Sequence, residues 1–355
     1  MSSYFSSRHA ALTAYTPGEQ PVDMPYVKLN TNESPYPPSP GVLSAVEREA
    51  GKLNLYSDPT ASSLCAAVSE VLGVGTDRLL MTNGSDEILN FIFLAYGDEN
   101  HPFAFPDITY GFYPVFARLN GVPYTEVPLK EDLTVDVEGL IACRAHLVLA
   151  NPNAPTGMAL PLSEIERILQ SDPNRLVVVD EAYVDFGGES AISLLDRYPN
   201  LIVTRTFSKS YSLAGGRLGF AVASEEIIAD LNTIKYSVNP YNVNRMTMAA
   251  GVAAMKENDY YLANCAAVMR TREETAGALR ARGFTVLPSL TNFLFARHER
   301  VGGERIYRGL KERGVLVRHF NHPRIEAFNR ITVGTDAQMQ TLLTALDEIL
   351  KEETT

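Results

Sequence analysis

Three stretches in the middle of the chain, "HLVLAN" (146–151), "RLVVVD" (175–180) and "LIVTRTF" (201–207), each hold a continuous apolar run followed by polar side chains. Because apolar and polar residues do not alternate along them, neither face of the strands they form can be left to water. Strands buried on both faces belong to a mostly parallel sheet with helices on both sides, which places the chain in the α/β class. "RLLMTN" (78–83), "PFAFP" (102–106), "YTEVPL" (124–129) and "RLGFAVA" (217–223) extend the series, with helical patterns between them at 85–96 and 161–171.

After about residue 240 the pattern changes. A long helical stretch is expected from near Asn244 to Arg282, then two strands around a turn in "FTVLPSLTNFLFARH". A helix "GERIYRGLKERG", strands "VLVRHF" and "RITVG", and a closing helix from about Asp336 to Glu352 follow. The expected organisation is an N-terminal arm (1–30), a large domain (31–240) and a smaller C-terminal α+β domain (241–355), with the arm running into the Pro-rich "NESPYPPSPG". No internal repeat is visible.

The charge balance limits the partners. With 42 acidic and 31 basic residues the net charge is −11, and Lys and Arg form no stripe, so no nucleic-acid footprint is expected. Anionic small molecules must be met by local sites. Three scattered cysteines, Cys65, Cys143 and Cys265, lack metal spacing and read as free thiols in a reducing compartment. No apolar run approaches the roughly 18 residues of a membrane span, and no apolar leader opens the chain. A cytoplasmic protein with no membrane partner and no metal is expected.

Ligands of open α/β sheets bind beyond the carboxyl ends of the strands, so the residues just after each run carry the chemistry. "RLLMT" runs into Asn83-Gly84-Ser85-Asp86 and a helix; glycine allows close backbone approach, and Ser85 is expected to cap a helix start whose free N–H groups point at an anion. "HLVLA" ends in "NPNAPTG" (151–157). "RLVVV" ends in Asp180-Glu181-Ala182-Tyr183, a carboxylate at the exit of an apolar strand that needs a positive partner. "LIVTRTF" ends in Ser208-Lys209, followed by two hydroxyl residues, a Gly pair and Arg217. That set suits a phosphate dianion, and a lysine there can serve as nucleophile if it is desolvated or placed near other cations. Taken singly, each feature also fits bland roles as cap, turn or surface charge. Together they ask for a cofactor with one phosphate, one basic ring nitrogen and one aldehyde, which pyridoxal 5'-phosphate (PLP) satisfies.

"NPNAPTG", "DEAYVDF" and "TFSKSYSLAGGRLGF", in this order, resemble the fold-type I PLP-dependent aminotransferases. With "KLNTNESPYPPSP", "YSDPT", "TNGSDEIL", "DITYGFY" and "RITVGT", the resemblance narrows to the histidinol-phosphate aminotransferase family and spans about residue 12 to the C-terminus. It implies transamination between histidinol phosphate and 2-oxoglutarate or glutamate, in histidine biosynthesis, by a homodimer with shared active sites. By the same resemblance, Lys209 would be the Schiff-base lysine, Asp180 the partner of the pyridinium nitrogen and Tyr183 a donor to the ring O3′. Tyr110 would stack on the ring. Gly84, Ser85, Asp86, Ser208 and Arg217 would hold the phosphate, with Thr206 beside them and Tyr56 reaching across from the second subunit. On the substrate side it implies Arg330, Arg318, Tyr15 and Asn32.

One position departs from the family pattern. The residue before Pro-Thr-Gly, an O3′-binding Asn in many relatives, is Ala154, and Asn153 is taken as its substitute. Aromatic aminotransferases and threonine-phosphate decarboxylases share these motifs. Outside the family, a Ser/Lys hydrolase built on Ser208 and Lys209 would leave Asp180 and Tyr110 unexplained, and the intact lysine and aspartate argue against a silent binding protein. "GVGTDR" (73–78) lacks the third glycine of a dinucleotide fingerprint, and no P-loop is present.

Overall fold

The computed structural model describes residues 2, 4–10 and 12–353. Its strands are β1 (Val27–Lys28), β2 (Leu79–Thr82), β3 (Phe103–Pro106), β4 (Tyr124–Val127), β5 (His146–Ala150), β6 (Val177–Asp180), β7 (Leu201–Thr206), β8 (Gly219–Val222), β9 (Phe284–Val286), β10 (Phe293–His298), β11 (Val315–Leu316), β12 (Arg318–His319) and β13 (Asn329–Thr332). A seven-stranded sheet runs in the order β2-β8-β7-β6-β5-β3-β4. From β7 to β4 the pairs are parallel, and β8 lies antiparallel to both its neighbours.

The unbroken apolar runs are divided residue by residue between the two faces. Leu147, Leu149, Val177, Val179, Leu201 and Val203 pack on one side, with the helices Ser62–Leu72 and Leu162–Ser171. Val148, Val178 and Ile202 pack on the other, with Ser85–Tyr96, Tyr113–Asn120 and Glu225–Val238. Each such side chain is worth about 1.5–3 kcal/mol in burial, which is why 147–149, 176–179 and 201–203 carry no polar residue.

The expected helix from 244 to 282 is two helices, Arg245–Lys256 and Asn258–Arg280, broken at Glu257. The first contributes Met248, Ala250, Ala254 and Met255 to the core of the seven-stranded sheet, so packing crosses the expected division at residue 240. A second sheet, β12-β13-β10-β9, is antiparallel and packs on the helices Gly303–Glu312 and Asp336–Glu352.

"VLVRHF", expected as one strand, serves two sheets. Val315 and Leu316 pair in parallel with β1, whereas Arg318 and His319 pair antiparallel with β13. Buried Val317 is the switch. The end of the N-terminal arm is thereby tied to the C-terminal part, with Leu29 in the same core as Ile331 and Leu342, and Arg318 is brought directly opposite Arg330.

Candidate active site

The ends of β5, β6 and β7 and the turn after β2 open on one edge of the sheet. Thr82 and Thr206 both pair with Gly219, which brings the helix Ser85–Tyr96 beside the segment that follows β7. Two glycines make this approach possible. A Cβ on Gly219 would lie 2.6 Å from the Ser85 nitrogen, and one on Gly84 would lie 2.6 Å from Arg217 Nη2. Gly84 also has φ +83°, a conformation that glycine adopts without strain.

The N-cap is Gly84 itself, and no side chain caps the first turn. Ser85, expected as the cap, is the first helical residue, because the left-handed turn at Gly84 starts the helix one position later. The first-turn amides therefore keep their partial positive charge for an external anion. Arg217 has φ +53°, a strained conformation for a non-glycine residue that costs on the order of 1–3 kcal/mol. Its Nη2 donates to Asp86 Oδ2 at 3.1 Å, and the Tyr110 hydroxyl donates to Asp86 Oδ1 at 2.8 Å. An ion pair this open to water is worth only about 0–1 kcal/mol, so it yields readily to a dianion.

Asp180 closes β6 and is 4 % exposed. Its Oδ2 accepts from the Tyr113 hydroxyl at 2.9 Å and its Oδ1 from Thr204 Oγ1 at 3.3 Å. Burial pushes its carboxyl up to about 6, against the pull of the Tyr113 hydrogen bond. A buried carboxylate with nothing positive beside it is unfavourable, and a protonated ring nitrogen is what it lacks.

Lys209 Nζ lies 3.4 Å from the Thr31 carbonyl and 5.9 Å from the centre of the Tyr183 ring. Burial, and then the Arg330 cation, bring its amine down to about 8, although Glu33 and Asp86 pull the other way. A lysine so placed is partly neutral near physiological pH, as a nucleophile must be. The Tyr183 hydroxyl accepts from Asn32 Nδ2 at 2.9 Å. Asn32, at φ +56°, is held in turn by Thr332, which donates to its Oδ1 at 3.0 Å.

Ser85, Asp86, Tyr110, Asp180, Tyr183, Thr206, Ser208, Lys209 and Arg217 all line one cavity of about 260 Å³. Its donors fit PLP: uncapped amides and a guanidinium for the phosphate, a buried carboxylate for the ring nitrogen, an amine for the aldehyde and the Tyr110 ring as a wall. A second cavity of about 370 Å³ shares Thr31, Tyr110, Ala154, Tyr183 and Lys209 with the first and adds Tyr15, Asn32, Arg318, Phe320 and Arg330.

Among the described residues, neither arginine of this second cavity makes an ion pair. Arg330 Nη2 donates to the Asn30 carbonyl at 3.0 Å, while its buried Nε has no partner. Arg318 reaches only the Thr16 and Pro17 carbonyls, both at 3.4 Å. Each guanidinium lies 5.7 Å from the centre of the Phe320 ring. Two cations without a direct ion-pair partner in one cavity call for an anion from outside.

Of the expected residues, Gly84, Asn153 and Tyr56 line neither cavity, the last being expected to serve a second subunit. Asn153 Oδ1 accepts from Thr109 Oγ1 at 2.8 Å, and its Nδ2 donates to the Ile108 carbonyl at 3.1 Å and to Thr156 Oγ1 at 3.0 Å. Closing the turn uses its polar atoms, and Ala154 takes the cavity wall. Tyr56 is 79 % exposed and stacks on Tyr241 with ring centres 4.5 Å apart, outside both cavities. Neither Tyr113 nor Thr31 stands out in the sequence; Tyr113 is in plain view in "TYGFY", but as one more aromatic at a helix start.

Residues 25–346 match the family described as aminotransferase class I and II. Histidinol-phosphate aminotransferase 2 of Dechloromonas aromatica (strain RCB) is 47% identical over 354 residues, covering 98% of this chain and 99% of its own. Histidinol-phosphate aminotransferase of Acinetobacter baumannii (strain ATCC 17978) is 45% identical over 349 residues, 97% of each chain. The crystal structure of histidinol-phosphate aminotransferase from Sinorhizobium meliloti in complex with pyridoxal-5'-phosphate has a TM-score of 0.90 to this fold, over 99% of both chains at 26% identity.

Proposed function

The chain belongs to the class I and II aminotransferases, and from that premise we propose that it moves an amino group between histidinol phosphate and 2-oxoglutarate, a step of histidine biosynthesis, with PLP as cofactor. One observation carries this reading. The Lys209 amine stands where a cavity with an anion cradle and a buried carboxylate meets a cavity with two unpaired guanidinium groups. The first suits the cofactor, and the second suits substrates that have only an anionic end in common.

When bound, the cofactor supplies a carbonyl carbon that exchanges amines and a ring that withdraws electrons. The chain's own residues do the rest. The amides at Ser85 and Asp86, with Ser208, Thr206 and Arg217, bind the phosphate. Tyr110 fixes the ring plane. Asp180 holds a proton at the ring nitrogen, and the Tyr183 hydroxyl, accepting from Asn32, donates its own proton to the ring oxygen. Lys209 Nζ takes the proton from the substrate carbon that bears the amine. Arg330 grips the phosphate of histidinol phosphate or a carboxylate of glutamate, and Arg318 adds a second fork for the phosphate.

We propose a homodimer as the working unit. Tyr56 stacks on Tyr241, and both are exposed, as are Leu43, Leu53 and Leu55, each 57 % exposed. A second copy covers the Tyr56–Tyr241 pair and receives Tyr56 at its phosphate cradle. We place the enzyme in the cytoplasm, where free thiols such as its buried Cys65 and Cys265 persist.

Single-turnover spectra of the holoenzyme test the substrate. Histidinol phosphate is expected to convert the cofactor and 2-oxoglutarate to restore it. A response to aromatic amino acids without one to histidinol phosphate would move the assignment to an aromatic aminotransferase, and carbon dioxide release from threonine phosphate would move it to a decarboxylase.

A further inference from the structure

Tyr113 opens the helix Tyr113–Asn120 and is fully buried, at 0 % exposure. Its ring meets Tyr110 edge-on with centres 5.6 Å apart and lies 5.7 Å from Phe105. Packing alone would be served equally well by phenylalanine. A phenol hydroxyl buried among aromatics needs a partner, and here it donates to Asp180 Oδ2 at 2.9 Å. On the same carboxylate, Thr204 Oγ1 makes a longer contact of 3.3 Å to Oδ1. The Ala182 amide also supports the ionised form, whereas burial and the negative charge of Asp86 oppose it.

We infer that Tyr113 is a positioning residue for the cofactor: through its hydrogen bond it aims Asp180 at the ring nitrogen and keeps the shared proton on that nitrogen. The inference rests on the reading that Asp180 faces the ring nitrogen. A carboxylate that accepts a strong hydrogen bond is a weaker base, so a proton lying between it and the ring stays with the ring. Without the hydroxyl, Asp180 draws the proton to itself, and the ring loses the charge that makes it electron-withdrawing. Tyr113 thus acts on the reaction without touching substrate.

The test compares two cofactors. PLP and its 1-deaza analogue, in which carbon replaces the ring nitrogen, are titrated into the apo forms of the wild type, Tyr113→Phe and Asp180→Asn. The quantity read is the factor by which each protein prefers PLP. Tyr113→Phe is expected to lower that factor roughly tenfold, the weight of one hydrogen bond to a charged group. An unchanged factor overturns the inference, even if both cofactors bind more weakly, because a purely structural role weakens both alike. If Asp180→Asn also leaves the factor unchanged, the placement of Asp180 at the ring nitrogen falls as well; if only Tyr113→Phe does, the inference about Tyr113 falls alone. Should Tyr113→Phe not fold, 3-fluorotyrosine at position 113 keeps the shape with a more acidic hydroxyl. The nitrogen-15 shift of ring-labelled PLP should then move further toward the pyridinium value, and no movement overturns the inference.

Discussion

Asp180 and Tyr56 belong to two halves of one proposed site that are finished to very different degrees. Asp180 is 4 % exposed, with both carboxylate oxygens engaged by groups of its own chain. Tyr56 is 79 % exposed and rests against Tyr241 with its backbone carbonyl held by Arg245 at 2.8 Å. The ring half of the site is preorganised inside a single chain, where low polarity makes each hydrogen bond count. The phosphate half is left open, with the Arg217 side chain 46 % exposed. Chemistry that depends on charge placement is built into the core, while in the proposed dimer anchoring would be shared across a surface. Substitutions in the first half should therefore act at any protein concentration, and those in the second should respond to the partner.

The largest effect is expected for Lys209→Ala, a loss on the order of 10⁴-fold or more in turnover, as for removal of other covalent catalysts. Borohydride should fix the cofactor to the wild type and not to this variant; a labelled Lys209→Ala protein would break the comparison at its first half. Next comes Arg330→Ala, which should slow both half-reactions by about 2–5 kcal/mol in transition-state binding, since it leaves the anionic end of each substrate unpaired. Arg318→Ala should hurt histidinol phosphate more than glutamate, and equal losses in kcat/KM for the two would remove its assignment to the phosphate.

Tyr56→Ala should weaken cofactor binding by roughly tenfold, the weight of one hydrogen bond to a charged group. Mixing it with Lys209→Ala sharpens the comparison. In a mixed dimer one site has an intact Lys209 from one chain and an intact Tyr56 from the other, so at cofactor concentrations well below those that saturate the Tyr56→Ala variant, activity should rise above that of either variant alone. No recovery after subunit exchange would mean that the phosphate half, too, is complete within one chain.

The smallest effect is on pH dependence. The neutral Lys209 amine is the reactive form and its folded value is about 8, so cofactor capture by the apoprotein should accelerate as pH rises through 8 and then level off. The Arg330 cation helps to depress that value, so Arg330→Ala should move the midpoint to higher pH. Stopped-flow absorbance across the range reads both midpoints, and an unmoved one would show that the two cations do not interact.

Much of this was legible along the chain. The runs at 146–151, 175–180 and 201–207 announced a parallel sheet, and the sheet announced where polar residues gather. Ser208, Lys209 and Asp180 reach one cavity because each immediately follows or closes such a run. Tyr113 was hidden by its surroundings, since in an aromatic-rich helix start a tyrosine that bonds a carboxylate reads the same as one that only fills space. Asn153 misled for the opposite reason. It stands in the right motif, but the closing of the turn on Thr156 and Ile108 decides which way its amide points.

What the sequence by itself determined was everything governed by neighbours a few residues apart: strand or helix, buried or half-buried face, and the polar groups that end each strand. Those depend on side-chain periodicity and local backbone preference, which a short window contains. Only the tertiary structure decided that "VLVRHF" divides between two sheets, that Arg318 lies opposite Arg330, and that Asn32 is held by Thr332 across 300 residues of chain. Such contacts depend on strand register and sheet membership, and a slip of one residue turns every side chain to the other face. No local preference sets that register. It is settled when Leu29, Val315, Val317 and Ile331 pack into one core, and the two arginines are carried into the second cavity with them.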